Sequence, residues 1–208
     1  MALVDLTLTE FAQLLGSDAP APGGGSAAAL SAVNGISLTK MVCELTLGKK
    51  QYADYQATIE EIHTVAGDLQ ERLLRAIDED TEAFNQVSAV FDMPKETEED
   101  KEARRQAMQA ALKAATLSPY GMMETILQAL QVTAAAVGKS NTNAASDLGV
   151  AALSLKASLQ GAWLNVLINL SGIKDEEFVA TYRQQGQTML EDGSNLADQV
   201  YEDILRIV

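Results

Sequence analysis

The sequence predicts an all-α protein, a multihelical bundle of about seven helices forming a single domain over residues 1–208. Three observations carry that expectation. Ala, Leu, Glu, Gln and Lys, all good helix formers, dominate the composition. Apolar residues recur at steps of three and four, and the period-two alternation of a half-buried strand is scarce. The segments between periodic stretches are short and carry helix-stop and helix-start residues, as in bundles. With 208 residues and 47% hydrophobic composition, the chain is long enough to bury one full core.

Each element follows from its own signals. Thr7 and Glu10 have capping-box spacing and Gly16 is a stop, which predicts a first helix over 8–15. The Pro/Gly stretch "SDAPAPGGGS" breaks the chain, and a second helix runs from Ser26 to Leu47, closed by Gly48. A third runs from Tyr52 to Phe91 and ends before Pro94. The charged stretch "KETEEDKEARR" opens a fourth, to Leu117, as a solvated face. Ser118–Pro119 reads as an N-cap followed by Pro in the first turn, starting a fifth helix that ends near Gly138. A sixth runs from Ala144 to Leu170, and Asp175 caps the last, to Ile207. Helices two, five and six are rich in Ala, Gly and Ser, which permits close helix–helix approach in a core or a dimer interface.

Composition excludes several function classes. The formal net charge is −14, which argues against a nucleic-acid partner, because binding phosphates needs clustered Lys and Arg. A small anionic ligand would need a local positive feature to oppose that field. A single cysteine, Cys43, excludes an internal disulfide and a Cys-based metal site, and no His/Cys/Asp cluster has metal-ligand spacing. No signal-like segment or bilayer-length apolar run is present, so the expected location is cytoplasmic, without membrane attachment.

Polar residues at positions where the period calls for apolar ones point to a site. On the third helix the stripe Ile62, Ala66, Leu69, Leu73, Ala76, Asp80, Phe84, Val87, Phe91 contains one carboxylate, Asp80, and a buried carboxylate is expensive unless partnered. On the sixth helix Asp147, Ser154, Ser158, Asn165 and Asn169 fall in a band of roughly 60° on an otherwise apolar surface. Asp147 also suits the helix dipole in a first turn, a capping role. On the second helix Ser26, Ser37, Lys40 and Glu44 align on one line. Three polar seams suggest a shared polar cleft, and "GGGS" before a helix offers unpaired N–H groups as an anion site.

Nucleotide and hydrolase motifs are incomplete. "GKS" at 138–140 lacks the upstream P-loop glycine, since position 133 is Thr133. Ser37-x-x-Lys40 lacks the partner motifs of the penicillin-binding enzymes. The lone histidine, His63, has no nucleophile at a telling spacing and reads as a packed or surface residue.

The segments "PAPGGGSAAAL", "MVCELTLGKKQY", "DEDTEAF", "RRQAMQAALKAA", "NTNAASDLGVAAL" and "GAWLNVLINL", in this order over nearly the whole chain, resemble the cyclodeaminase/cyclohydrolase family. Lys40 departs from the family pattern, which has a small or apolar residue before "MV". The resemblance implies an all-helical homodimer acting on a tetrahydrofolate derivative as substrate, with or without further glutamates in its tail, and with no tightly bound cofactor or metal. It implies one of two reactions, closure of 5-formimidoyltetrahydrofolate with loss of ammonia, or hydrolytic opening of 5,10-methenyltetrahydrofolate. Asp147, with Asp80 second, is then the expected proton-transfer or cation-stabilising group. Pro22, Gly23, Gly24, Gly25 and Ser26, with Lys49 and Lys50, would meet the anionic part of the folate, and Asn141 and Ser146 would hydrogen-bond the pterin or the tail. The alternatives are a non-catalytic folate-binding or assembly module and, last, an amide hydrolase using Ser26.

Overall fold

The computed structural model describes residues 2–208, and among them there is no strand. Six α-helices follow one another: α1 (Leu8–Leu15), α2 (Gly24–Glu44), α3 (Gln56–Phe91), α4 (Glu98–Ala136), α5 (Ala145–Leu170) and α6 (Glu176–Leu205). Short 3₁₀ turns cover Leu3–Asp5, Lys50–Tyr55 and Thr142–Ala144. The start signals act as their chemistry predicts. The Thr7 hydroxyl accepts from the Glu10 N–H while the Glu10 carboxylate accepts from the Thr7 N–H. Thr97 and Asp100 make the same box at the start of α4, and the Asp175 carboxylate caps α6 through the Phe178 N–H. Gly48 and Gly138, both at φ +74°, turn the chain after α2 and α4 through the left-handed region, where a Cβ is disfavoured.

The helix count is six rather than about seven. The expected fourth and fifth helices are one, because Pro119 lies buried inside α4 instead of opening a new helix. An interior proline has no N–H and so frees the carbonyl four residues earlier. That carbonyl, Ala115 O, accepts a 2.8 Å hydrogen bond from Asn169 Nδ2 on α5, so the break in the ladder is satisfied from a neighbouring helix.

Helix α2 is the centre of the bundle, with Ala29, Ala32, Ile36, Val42 and Cys43 wholly buried. It packs on α3 and α5; α4 packs on the same two, and α6 covers α5 and α4. Helices α2 and α5 run antiparallel. Gly24 lies beside Asn165, Ser31 Oγ donates to Ser154 O, and the Asn141 amide ahead of α5 donates to Leu45 O at the end of α2. The approach is close enough that a Cβ on Gly35 would sit 2.7 Å from Leu155 Cγ, which is why a small residue is required there.

Helix α3 outruns α2. The first turns of α2 meet α3 at Ile77, where Ser26 Oγ donates to Ile77 O at 2.8 Å. Asp80 still meets Gly25 and Ser26 of α2, and past it the stripe is largely uncovered. Phe84 and Phe91, expected in the core, are 44% and 62% exposed, and the uncovered face forms one wall of a cavity. Among the described residues no helix is long and apolar enough to cross a membrane.

Candidate functional site

The cavity, of about 330 Å³, lies where the start of α2, the last third of α3, the middle of α4 and the end of α5 converge. Its wall includes Gly23, Gly24 and Gly25 from α2, Asp80, Thr81, Phe84 and Val87 from α3, Ala115 from α4, and Asn165, Ile168 and Asn169 from α5. Apolar walls with a few converging polar groups are the usual make-up of a small-molecule site.

The glycines act on a carboxylate. A Cβ on Gly25 would lie 1.9 Å from Asp80 Oδ1, so only glycine lets the Asp80 carboxylate press against the start of α2. There the first-turn N–H groups have no intrahelical partner, and the helix dipole favours a negative charge. Ser26, wholly buried, adds a hydroxyl 3.1 Å from Asp80 Oδ2 and 3.2 Å from Thr81 Oγ1. Burial nevertheless dominates and holds the Asp80 carboxyl above its ordinary range, while hydrogen bonds from the Ser26 side chain and backbone pull the other way. The result is a half-buried carboxylate at a cavity wall, able to take up a proton more readily than a free aspartate. Gly25→Ala is expected to force the carboxylate or the helix start aside, with about 1–3 kcal/mol lost by overpacking. A Cβ on Gly23 meets nothing within 4 Å, so Gly23→Ala, which changes only the N-cap of α2, should lower Tm less than Gly25→Ala. Thermal melts of both variants check this pair.

Two amides supply acceptors. Asn165 Nδ2 donates to Gly161 O and Asn169 Nδ2 to Ala115 O, each at 2.8–2.9 Å, so both side chains are held in one orientation. Their side-chain oxygens accept no hydrogen bond from the described residues, which leaves them open to N–H groups of a ligand.

The predicted site residues fall into two groups at opposite ends of the α2/α5 pair. Gly23, Gly24, Gly25 and Asp80 line the cavity, with Pro22 and Ser26 buried behind it. Lys49, Lys50, Asn141, Ser146 and Asp147 lie at the other end, none in the cavity wall. From Asp147 to Asn165 along α5 is about 27 Å at 1.5 Å per residue. Lys49, Lys50 and Ser146 are exposed and Asp147 is half-buried. Asn141 is a buried tether, its N–H on Thr46 Oγ1, its amide donating to Leu45 O and accepting from the Asn143 N–H.

The polar seams do not share one cleft along their length. Ser37, Lys40 and Glu44 of α2 meet a matching seam on α3: Gln70 donates to Ser37 Oγ at 2.6 Å, Lys40 reaches Gln70 Oε1 at 3.4 Å, and His63 pairs with Glu44 at 2.7 Å. Lys40, the departure from the family pattern, is therefore in an interhelical seam and not in the cavity. Among the described residues the Ser26 hydroxyl bonds to Ile77 O, Asp80 and Thr81, and to no histidine or lysine that would activate it as a nucleophile. Thr81, Asn165 and Asn169 are cavity residues that sequence reasoning did not assign. Both asparagines lie in the polar band of α5 together with Asp147, and angular position alone does not register separation along the axis.

Known proteins share this architecture. The profile described as formiminotransferase-cyclodeaminase matches residues 7–188. The chain is 36% identical to a methenyltetrahydrofolate cyclohydrolase of Methylorubrum extorquens, over 95% of each chain. It is 34% identical to the formimidoyltransferase-cyclodeaminase of Sus scrofa over 94% of its own length, and spans 36% of that longer protein. A crystal structure of formiminotetrahydrofolate cyclodeaminase from Thermotoga maritima superposes with a TM-score of 0.80 at 28% identity, covering 97% of this chain and 95% of that one. The agreement runs end to end in sequence and fold, and the chain belongs to the formiminotransferase-cyclodeaminase family.

Proposed function

We propose that this protein is a tetrahydrofolate one-carbon enzyme, either a 5-formimidoyltetrahydrofolate cyclodeaminase or a 5,10-methenyltetrahydrofolate cyclohydrolase. The observation that carries the reading is the Asp80 carboxylate, held in a cavity wall at the start of α2 with its proton affinity raised by burial. In the first reaction N10 attacks the formimidoyl carbon, a tetrahedral carbon forms between N5 and N10, and ammonia leaves with a proton taken up. In the second, water adds to the cationic methenyl carbon and gives up a proton, and the C–N5 bond breaks to leave the formyl group on N10. Both pass through a tetrahedral carbon and need a group that accepts and returns protons. An anionic carboxylate beside a cationic carbon also stabilises it directly. The folate is the substrate, and neither reaction calls for a further cofactor.

The proposal extends to a homodimer. Along α5 the residues Ser146, Val150, Leu153, Ala157, Gln160, Leu164 and Ile168 form one outward row that carries no charge. Leu164 and Ile168 are 66% and 71% exposed, a large apolar surface for an isolated chain. The neighbouring α2 turns Asn34, Met41 and Leu45 outward. A second copy packed on this face, with α5 against α5 in antiparallel sense, would cover it as in a four-helix bundle.

The test follows the near-ultraviolet absorbance of the methenyl compound. Incubation with methenyltetrahydrofolate should bleach it, or incubation with formimidoyltetrahydrofolate should generate it with release of ammonia. Two flat traces alongside retained folate binding would make the protein a binding module instead.

A further inference from the structure

Fifteen Lys and Arg residues stand against twenty-nine Asp and Glu, yet four of the six arginines, Arg72, Arg75, Arg104 and Arg183, have no carboxylate partner among the described residues. Two such arginines share one groove between α3 and α4, on a different face of α3 from the Asp80 cavity. Arg72 is aimed across it: Nη1 donates to Gln128 Oε1 at 2.9 Å and Nη2 to Thr125 Oγ1 at 2.8 Å, both neutral acceptors on α4. Arg75, one turn further on, makes no hydrogen bond and no ion pair among the described residues. Asp68 and Glu71 stand four residues before Arg72 and Arg75, and Glu79 four after Arg75, the spacings at which helical ion pairs form. No such pair is present among the described residues. The two guanidinium groups therefore face a depression of about 310 Å³ lined also by Ser118, Thr125, Met122 and Glu79. Thr125 already donates its hydroxyl proton to Gly121 O, so it accepts from Arg72 without strain. The Ser118 hydroxyl, half-buried on α4, has no partner among the described residues.

We infer that the α3/α4 groove is a second ligand site, in which Arg72, Arg75 and the Ser118 hydroxyl bind a small oxyanion of carboxylate or phosphate type. The guanidinium fork matches two oxygens of either group, and Arg72 is pre-oriented by Thr125 and Gln128, which lowers the entropy lost on binding. Glu79 at the rim sets a limit on charge: the site favours an anion of two or more charges, which overcomes the one carboxylate, over chloride. The inference does not depend on the folate reading, because the groove shares no lining residue with the Asp80 cavity.

The probes are inorganic phosphate and citrate, titrated at constant ionic strength into the intact protein while the arginine side-chain N–H signals are followed by NMR. Saturable shifts at Arg72 and Arg75 are expected, with binding at least tenfold weaker in Arg75→Gln. Arg75 contacts no partner, so that variant folds, and circular dichroism verifies it. Tighter binding of citrate identifies a carboxylate ligand, and tighter binding of phosphate a phosphate one. Repeating the titration with tetrahydrofolate bound tests whether the site is separate: an unchanged titration is expected, and displacement of the probe would overturn the inference by making the groove part of the substrate site. Shifts that stay linear, or are equal in parent and Arg75→Gln, would overturn the inference.

Discussion

Replacing Asp80 with Asn is expected to lower kcat by about 10²–10⁴-fold, the usual contribution of one positioned proton-transfer group. The same change should leave the protein at least as stable as the parent at neutral pH. The two halves of this expectation come from one fact. Burial raises the Asp80 carboxyl above its ordinary value, so the folded state binds that proton more tightly than the unfolded chain does. Stability from this group is therefore fully present below the ordinary aspartate pKa of about 3.9. It is lost as pH rises through the elevated folded value. At neutral pH the ionised side chain is a liability to the fold, and Asn has the same shape without the buried charge. Thermal melts from pH 4 to 8 should show the parent losing ground to Asp80→Asn as pH rises, and kcat/KM of the parent should fall on its acidic side at a pH above the ordinary carboxylate range. A variant that melts lower than the parent at pH 7 yet turns over normally would make Asp80 a structural residue and remove it from the chemistry.

Local signals in the sequence carried most of the fold. The capping box at Thr7 and the glycine stops at Gly48 and Gly138 act within a few residues, so they can be read without knowing the tertiary structure. Pro119 could not be read in that way. Whether an interior proline breaks a helix depends on whether the freed carbonyl finds a donor, and here the donor, Asn169, comes from a different helix fifty residues later. The same limit applies to the site. Asp80 stood out because a carboxylate on an apolar stripe is anomalous by periodicity alone. The role of Gly25 was not legible, because it is defined by a 1.9 Å conflict with a side chain from another helix. Asp147 and Asn165 share one angular position around α5, yet a helix of that length places them at opposite ends of the bundle.

Mixing two inactive variants, Asp80→Asn and Asp147→Asn, is expected to restore activity, because a dimer across α5 would reunite the two ends. The outward row from Ser146 to Ile168 has its midpoint at Ala157. A two-fold axis passing there, perpendicular to α5, sets Ile168 of one chain opposite the partner's Ser146. It also keeps the band of Asp147 and Asn165 on the same side of both helices. The partner's Asp147, with the partner's Lys49 and Lys50, would then approach the cavity that holds Asp80, Asn165 and Asn169. That arrangement would provide a second carboxylate near the reacting carbon and a positive feature for an anionic tail in a protein of net charge −14. Each variant alone would damage both sites of its homodimer, with Asp147→Asn lowering kcat by about 10²-fold or more. A mixed dimer holds one site with both lesions and one with neither. Co-dissociation and reassociation at equal ratio should therefore recover about one quarter of parent activity, since half the dimers are mixed and half their sites intact. The recovered activity should track the mixed species when the two chains carry different affinity tags. No recovery would confine the site to one chain, and an Asp147→Asn variant that is fully active by itself would leave Asp147 as the first-turn partner of the α5 dipole and nothing more.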